Sequence, residues 1–168
     1  MNLLKVAGLV KGKYFNIAKG VRFILPIIIL CLDQSTKFIV NKNFTPHESI
    51  PIIKGIFHLT LVHNRGAAFG ILKGQAFLFV FTSIFAIILI YRGLKNTRGN
   101  LYSISLGLIL AGAIGNLIDR VFFGYVIDFL DLRIWPVFNV ADSAITVGAI
   151  LLGYSILKKD SINPNNYQ

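Results

Sequence analysis

Four long apolar runs constrain the fold of this chain more than any other feature. They cover residues 23–40, 74–91, 99–118 and 137–157. A helix needs about 20 apolar residues to cross the hydrocarbon core of a bilayer. The whole chain is 55% hydrophobic and 14% charged over 168 residues, which is too apolar for a soluble domain of this size. We therefore predict an all-α membrane protein with four transmembrane helices.

The basic residues outnumber the acidic ones by 17 to 7. In a soluble protein this excess would suggest nucleic acid as a partner. Here the basic residues are scattered between apolar runs and form no cluster with interleaved aromatic residues, so we predict no nucleic-acid binding. Ten Lys and Arg residues lie on the side of the two termini and six lie on the opposite side. Because cytoplasmic loops carry the excess of Lys and Arg, we predict that both termini are cytoplasmic.

The segments outside the apolar runs suggest three regions: a basic segment 1–22, a membrane domain 23–157 and a polar tail 158–168. The first segment lacks a small-residue cleavage site, which favours an uncleaved anchor. It is compatible equally with an amphipathic helix on the cytoplasmic leaflet and with a partly ordered tail. In the long connection 41–73, apolar and polar residues alternate from 57 to 62, which predicts a strand in a small outer sheet. From residue 160 onward we expect a disordered tail.

Four of the seven acidic residues fall near the same membrane face under this topology: Asp33, Asp119, Asp128 and Asp142. A charge near the centre of a bilayer costs about 2.5–3.5 kcal/mol, and less toward the interface. A single interfacial Asp is often only a helix cap or a partner for Arg. Four at one depth indicate a function, although Asp33 forms an intrahelical pair with Lys37 that we expect to be structural.

The third and fourth runs repeat one spacing, because Asn116 precedes Asp119 by three residues and Asn139 precedes Asp142 by three. Residues three apart share a helix face. Each Asn could therefore hold a carboxylate or a substrate carbonyl on the same surface. Spacing alone favours Asp119 and Asp142 as a functional pair. Small residues recur every four positions on the third run and allow close helix packing: Gly107, Ala111 and Gly115.

Most other chemistries lack their residues. The three histidines do not have the HExxH spacing of a zinc protease, and neither an SxxK motif nor a glycine-rich phosphate loop is present. The single cysteine, Cys31, excludes an internal disulfide, and we expect it to be packed in the core. Two close carboxylates can share a proton, so that one activates water while the other hydrogen-bonds the scissile carbonyl. An aspartyl hydrolase is therefore the leading hypothesis.

Two other functions stay open at this point. A proton-coupled transporter would spread its ionisable residues across the depth of the membrane. The second apolar run has none, and the other runs hold theirs toward one end. A non-catalytic assembly factor would tolerate replacement of its Asp residues by Asn.

Five motifs, in order and spacing, resemble the lipoprotein signal peptidase (signal peptidase II) family: 33–37 (DQSTK), 64–69 (NRGAAF), 112–120 (GAIGNLIDR), 126–129 (VIDF) and 138–143 (FNVADS). The resemblance covers residues 23–157. It implies an aspartyl endopeptidase of the bacterial cytoplasmic (inner) membrane that removes signal peptides from prolipoproteins, cleaving before a cysteine that carries a diacylglyceryl group. It also implies an outer β-cradle, a short outer helix, no metal or cofactor, and inhibition by globomycin.

The resemblance also implies roles for individual residues. It assigns the catalytic pair to Asp128 and Asp142, which differs from the pair that spacing favours. Substrate binding or support of the site falls to the remaining matched residues: Asp33, Lys37, Asn64, Gly66, Asn116, Asp119, Arg120 and Asn139. Arg65 departs from the family pattern, because many members have a smaller or polar residue there. We expect this change to alter loop contacts and not the chemistry.

Overall fold

The structure, a computed structural model, describes residues 24–66, 76–95 and 100–162. Within these ranges it contains four helices that are long and apolar enough to cross a membrane. They are α1 (Ile24–Asn43), α2 (Ala76–Lys95), α3 (Asn100–Phe123) and α4 (Val140–Ile162). The four predicted spans are confirmed. The predicted amphipathic segment 1–22 lies outside the described residues.

The helix ends differ from the ends of the apolar runs. α3 continues past residue 118 to Phe123, so that Asp119 and Arg120 belong to its last turns. α4 begins at Val140, because Asn139 caps its first turn with a side-chain oxygen that accepts a hydrogen bond from Asp142 N. The helix then runs to Ile162, so the prediction of disorder was wrong for residues 160–162. Residues 163–168 are outside the described part of the chain.

The strands within the described residues form a small antiparallel sheet. Its strands are β1 (Ser49–Ile53), β2 (Phe57–Asn64) and β3 (Val126–Asp131), in the order β1-β2-β3. β2 contains the alternating segment 57–62, which confirms the predicted strand. At the end of β2, Asn64 pairs with Val126 of β3. No short outer helix is found among the described residues; residues 132–139, between β3 and α4, form a loop.

A small apolar cluster attaches the sheet to the helices. Val40 from the last turns of α1 packs with Leu61 of β2 and with Ile127 and Phe129 of β3. All four side chains are buried. The sheet is therefore fixed beside the C-terminal end of α1, and β3 follows directly on the C-terminal end of α3.

Two glycines allow α3 to approach its neighbours closely. A Cβ atom on Gly112 would overlap the carbonyl oxygen of Ala141 in α4, and one on Gly115 would lie 2.6 Å from Asp33 Oδ2 of α1. Because backbone cannot move aside as a flexible side chain can, position 112 is the stricter of the two. The small residues of α3 thus bring three helices together at the level of Asp33.

The outward faces of the helices carry large apolar side chains. Phe77 and Phe81 of α2 and Ile150 of α4 are each more than 60% exposed. Large apolar side chains exposed on membrane-length helices fit the hydrocarbon of a bilayer. Cys31 is also exposed, so its predicted place in the core was wrong. It lies one helical turn after Ile27, on the outward face of α1.

Candidate active site

A buried ion network links α1 to α3. Lys37 Nζ lies 2.9 Å from Asp33 Oδ2 and 2.9 Å from Asp119 Oδ2. All three side chains are about 1% exposed or less. One cation therefore faces two carboxylates in the interior of the helix bundle. The pair within α1 was predicted from the sequence, and the structure adds Asp119 as a second partner of Lys37.

Neutral polar groups complete this network. Lys37 Nζ donates its remaining hydrogen bond to Asn116 Oδ1 at 2.9 Å, so the three donors of the ammonium group all have partners. Gln34 Nε2 lies between the two carboxylates, at 3.0 Å from Asp33 Oδ2 and 3.2 Å from Asp119 Oδ1. No role for Gln34 was predicted from the sequence. The sequence feature that could have pointed to Gln34 is its polar side chain, next to Asp33 within an apolar run.

The N-terminus of α4 is anchored to the same network. Asp33 Oδ1 accepts a hydrogen bond of 2.8 Å from Ala141 N. Asn139 Oδ1 accepts one of 2.8 Å from Asp142 N, and Asp142 Oδ2 accepts a longer one of 3.3 Å from Asn139 N. This reciprocal arrangement is a capping box. It places the carboxylate of Asp142 in the first turn of α4, where the helix dipole favours negative charge.

Asn116 and Asn139 connect the capped helix to Asp128 on β3. Asn139 Nδ2 donates to Asp128 Oδ1 at 2.7 Å and to Asn116 Oδ1 at 3.1 Å. Asn116 Nδ2 donates to Asp142 Oδ1 at 2.8 Å. Asn64, at the end of β2, donates to the other oxygen of Asp128 at 2.9 Å. Side-chain amides from β2, α3 and the start of α4 therefore hold both carboxylates.

Asp128 is almost fully buried, at 2% exposure. Burial, and then the negative charge of Asp142, raises the pKa of Asp128 to about 7. Hydrogen bonds from Asn64 and Asn139 oppose this rise. A carboxyl group with this pKa holds a proton over part of the physiological pH range.

Both carboxylates line one cavity of about 550 Å³ between the sheet and the helices. Its walls include Asn64, Gly66 and Arg120, and Ile145 and Thr146 of α4 continue the lining along that helix. The backbone N–H of Gly66 donates to Asn64 Oδ1 at 3.0 Å, which orients the amide toward Asp128.

Arg120 approaches this cavity from α3. Its guanidinium lies over the ring of Phe79 in α2, 5.2 Å from the ring centre, and donates a long hydrogen bond of 3.4 Å to Asn116 O. The carboxyl groups of Asp142, Asp128 and Asp119 interact electrostatically with this guanidinium. No signal in the sequence pointed to the contact with Phe79, because it depends on how α2 packs against α3.

The structure separates the two candidate pairs that the sequence left for comparison. Asp128 and Asp142 line the cavity, whereas Asp119 does not. Asp119 is bound by Lys37 and accepts a hydrogen bond of 3.1 Å from Ile127 N, behind the cavity wall. Asp33, Lys37 and Asn139 are likewise outside the lining. Lys37 and Asn139 donate hydrogen bonds to the lining residues Asn116 and Asp128, and Asp33 is linked to the lining only through Lys37.

These features define an integral membrane protein with a carboxylate-containing cavity where its helices meet a small sheet. The sequence model of the signal peptidase (SPase) II family matches residues 25–158. The lipoprotein signal peptidase of Halothermothrix orenii is 52% identical over 131 residues, covering 77% of this chain and 90% of that protein. That of Moorella thermoacetica is 51% identical over 137 residues, covering 80% and 91%. The chain belongs to the signal peptidase II family of membrane proteases.

A solved structure supports the same fold. A bacterial membrane enzyme determined by the in meso method at 2.3 Å resolution superimposes with a TM-score of 0.81 at 32% identity. The match covers 89% of this chain and 94% of that enzyme. Similarity therefore extends over the helices and the sheet together.

Proposed function

We propose that this protein is an aspartyl endopeptidase that removes signal peptides from diacylglyceryl-modified prolipoproteins, cleaving before the lipidated cysteine. The observation that carries the proposal is the meeting of Asp128 and Asp142 in one cavity, from β3 and from the first turn of α4. Membership of the signal peptidase II family supports the substrate class. No metal or cofactor takes part in the proposed reaction.

The proposed mechanism divides acid and base work between the two carboxyl groups. Asp142, at the N-terminus of α4 and bound by Asn116, is the ionised member and takes a proton from the attacking water. Asp128, whose pKa is raised to about 7, holds the proton that hydrogen-bonds to the scissile carbonyl. The water oxygen bonds to the carbonyl carbon, the C–N bond then breaks, and the amine of the cysteine leaves with a proton from the pair.

The other polar residues support this step. Asn64, Asn116 and Asn139 fix the two carboxylates, and Gly66 fixes the amide of Asn64. We assign Arg120 to a carbonyl of the bound signal peptide, because Arg120 lines the cavity and its guanidinium has only one long hydrogen bond to the described residues. The network formed by Asp33, Lys37 and Asp119 holds α1, α3 and α4 in register.

The placement of the site in the membrane fits this substrate. With both termini cytoplasmic, the cavity lies at the outer face of the bacterial inner membrane and the sheet forms an outer cradle. A diacylglyceryl group holds its cysteine at the interface, and the signal helix is already in the bilayer, so the scissile bond reaches the depth of Asp128 and Asp142. We propose that residues 23–157 form the peptidase domain, flanked by segments 1–22 and 158–168. We also propose that the inhibitor globomycin binds in the cavity.

The test is cleavage of a diacylglyceryl prolipopeptide by the full chain reconstituted in vesicles, with products identified by mass spectrometry. Asp128→Asn and Asp142→Asn should each lower kcat by about 100-fold or more, the usual contribution of general acid–base catalysis. Asp131→Asn is the matched control, because Asp131 lies on the same strand but binds Thr60 and Arg133 outside the cavity. Undiminished cleavage by both cavity variants would refute the catalytic assignment. Activity that survives Asp128→Asn but not Asp119→Asn would show that the pair is wrong.

A further inference from the structure

The sheet side of the cavity carries a cation, Arg65, that the proposed chemistry does not use. His47, His63 and Arg65 line this side, and the only carboxylates among the described lining residues are Asp128 and Asp142. Both of those are occupied by the amides of Asn64, Asn116 and Asn139. The sequence singles out Arg65 as a departure from the family pattern, and the proposed chemistry gives it no role.

Arg65 has no anionic partner in the described part of the chain. Its side chain is exposed, and no described carboxylate lies within 4.0 Å of it. Two other carboxylates of the sheet region are bound elsewhere. Glu48 accepts hydrogen bonds from Thr45 at 2.7 Å and 3.0 Å, and Asp131 pairs with Arg133 at 2.9 Å. The guanidinium of Arg65 is therefore available to a ligand.

His63, next to Arg65 in the lining, does not compete with it for an anionic ligand. Burial, and then the charges of Arg65 and His47, lower the pKa of His63, which favours its neutral form. Its Nε2 atom lies 2.9 Å from Asn41 Oδ1, and its ring stacks on Tyr125 with 4.2 Å between ring centres. His63 is therefore a fixed part of the wall, and the permanent charge offered to a ligand comes from Arg65.

The position of Arg65 determines which part of a substrate it can meet. It directly follows Asn64, whose amide is bonded to Asp128. Under the proposed function, on which this inference rests, the signal peptide stays on the bilayer side and the mature chain leaves the cavity along the sheet. An extended chain advances about 3.3–3.6 Å per residue. Arg65 is thus within reach of the first few residues after the cysteine.

We infer that Arg65, together with His47, forms a subsite that binds an acidic side chain in the first residues after the lipidated cysteine. The subsite selects among prolipoproteins and does not take part in bond cleavage. The observations that carry it are the guanidinium without an anionic partner among the described residues, the position of Arg65 and His47 in the cavity lining, and the place of Arg65 beside a residue that contacts Asp128.

The test compares three diacylglyceryl prolipopeptides that differ only in the second residue of the mature sequence, which is aspartate, asparagine or lysine. The full chain is reconstituted in phosphatidylcholine vesicles. We expect kcat/KM to be about two- to fivefold higher for the aspartate substrate than for the lysine substrate, as for an exposed ion pair. Arg65→Gln should abolish this ratio and Arg65→Glu should invert it. The ratio cancels any general loss of activity or folding in a variant.

Two controls distinguish a subsite at Arg65 from a general effect of surface charge. Lys54→Gln removes an exposed cation from the β1–β2 turn, outside the cavity lining, and should leave the ratio unchanged. Raising the salt concentration from 0.1 M to 1 M shortens the screening length from about 10 Å to about 3 Å and should reduce the ratio toward one.

Several outcomes would overturn the inference. Equal cleavage of the three substrates by the unmodified chain would do so while leaving the proposed function intact. If Arg65→Glu slows all three substrates equally, and only in vesicles that contain phosphatidylglycerol, Arg65 binds lipid headgroups and not the substrate. Failure of the unmodified chain to cleave any of the three substrates would instead refute the proposed function, and this inference with it.

Discussion

Replacing Lys37 by Met should destabilise the protein strongly. The substitution keeps a side chain of similar length but leaves Asp33 and Asp119 without their cation, and both carboxylates are about 1% exposed or less. Removing one partner of a buried ion pair costs about 3–5 kcal/mol. In a protein of this size, about 1 kcal/mol corresponds to roughly 2–4 °C in Tm. We therefore expect Lys37→Met to lower Tm by roughly 6–20 °C.

Arg133→Met is the matched control. Arg133 Nη1 lies 2.9 Å from Asp131 Oδ2, which is the same N···O separation as in the Lys37 pairs. The Arg133 side chain is 49% exposed, however, and Asp131, although buried, keeps hydrogen bonds from Thr60 Oγ1 and from the backbone N–H of residue 133 when the guanidinium is removed. Exposed pairs contribute about 0–1 kcal/mol, so the loss in Tm should not exceed about 4 °C. The comparison contrasts a buried cation that has two carboxylate partners with a half-exposed cation that has one.

Thermal unfolding in detergent micelles, followed by far-UV circular dichroism, measures both variants. Adding Asp33→Asn and Asp119→Asn to Lys37→Met should recover most of the lost stability, because no buried charge then remains unpaired. This triple variant also supplies the measurement if Lys37→Met alone does not accumulate. A Tm for Lys37→Met within about 2–3 °C of the control would refute the reasoning, and so would a triple variant less stable than the single one.

The site and the packing lead to three more predictions. The first concerns pH: because the pKa of Asp128 is raised to about 7, kcat should fall as the pH rises through 7 and the group loses its proton. A kcat that stays constant from about pH 6 to pH 9 would contradict this. The second concerns packing: Gly112→Ala should lower Tm, because the new Cβ would overlap the backbone of Ala141. In the control Gly153→Ala the new Cβ has no atom within 4 Å, so Tm should be unchanged or slightly raised. The third concerns the β1–β2 hairpin, where Ile53 is 53% exposed beside other exposed isoleucines. The fluorescence of a tryptophan placed at position 53 should be quenched by brominated lipids in vesicles. Fluorescence unaffected by these lipids would exclude contact of the hairpin with the bilayer.

The helices were predictable from the sequence because a bilayer imposes one length and one composition on every span. Their ends were less predictable. The start of α4 is set by the capping box of Asn139 and Asp142 and not by where the apolar run begins. The end of α3 lies beyond its apolar run, because Asp119 is accommodated inside the bundle by Lys37. A hydropathy scale counts every charged residue as unfavourable in a span, because it contains no information on whether that residue has a buried partner.

Asp119 and Asp128 could not be told apart by spacing. Asp119 lies in the last turns of α3 and Asp128 follows on β3, and the Asn-x-x-Asp spacing favoured Asp119. The deciding factor is the register between β2 and β3, which pairs Asn64 with Val126 and brings the Asn64 amide to Asp128. This strand register depends on the packing of Leu61 and Ile127 against Val40. The spacing of residues along one helix contains no information about such tertiary contacts.

Asn116 belongs to both halves of the site, the buried ion network and the cavity. Its oxygen accepts hydrogen bonds from Lys37 and Asn139, which leaves its nitrogen directed at Asp142. An amide with its oxygen fixed by two donors cannot rotate to present that oxygen to a carboxylate without losing both bonds. The buried network therefore does more than offset the cost of placing charges in the membrane. It sets the orientation of the amide that donates to Asp142, the base of the proposed mechanism, so stability and the geometry of the candidate active site depend on the same lysine.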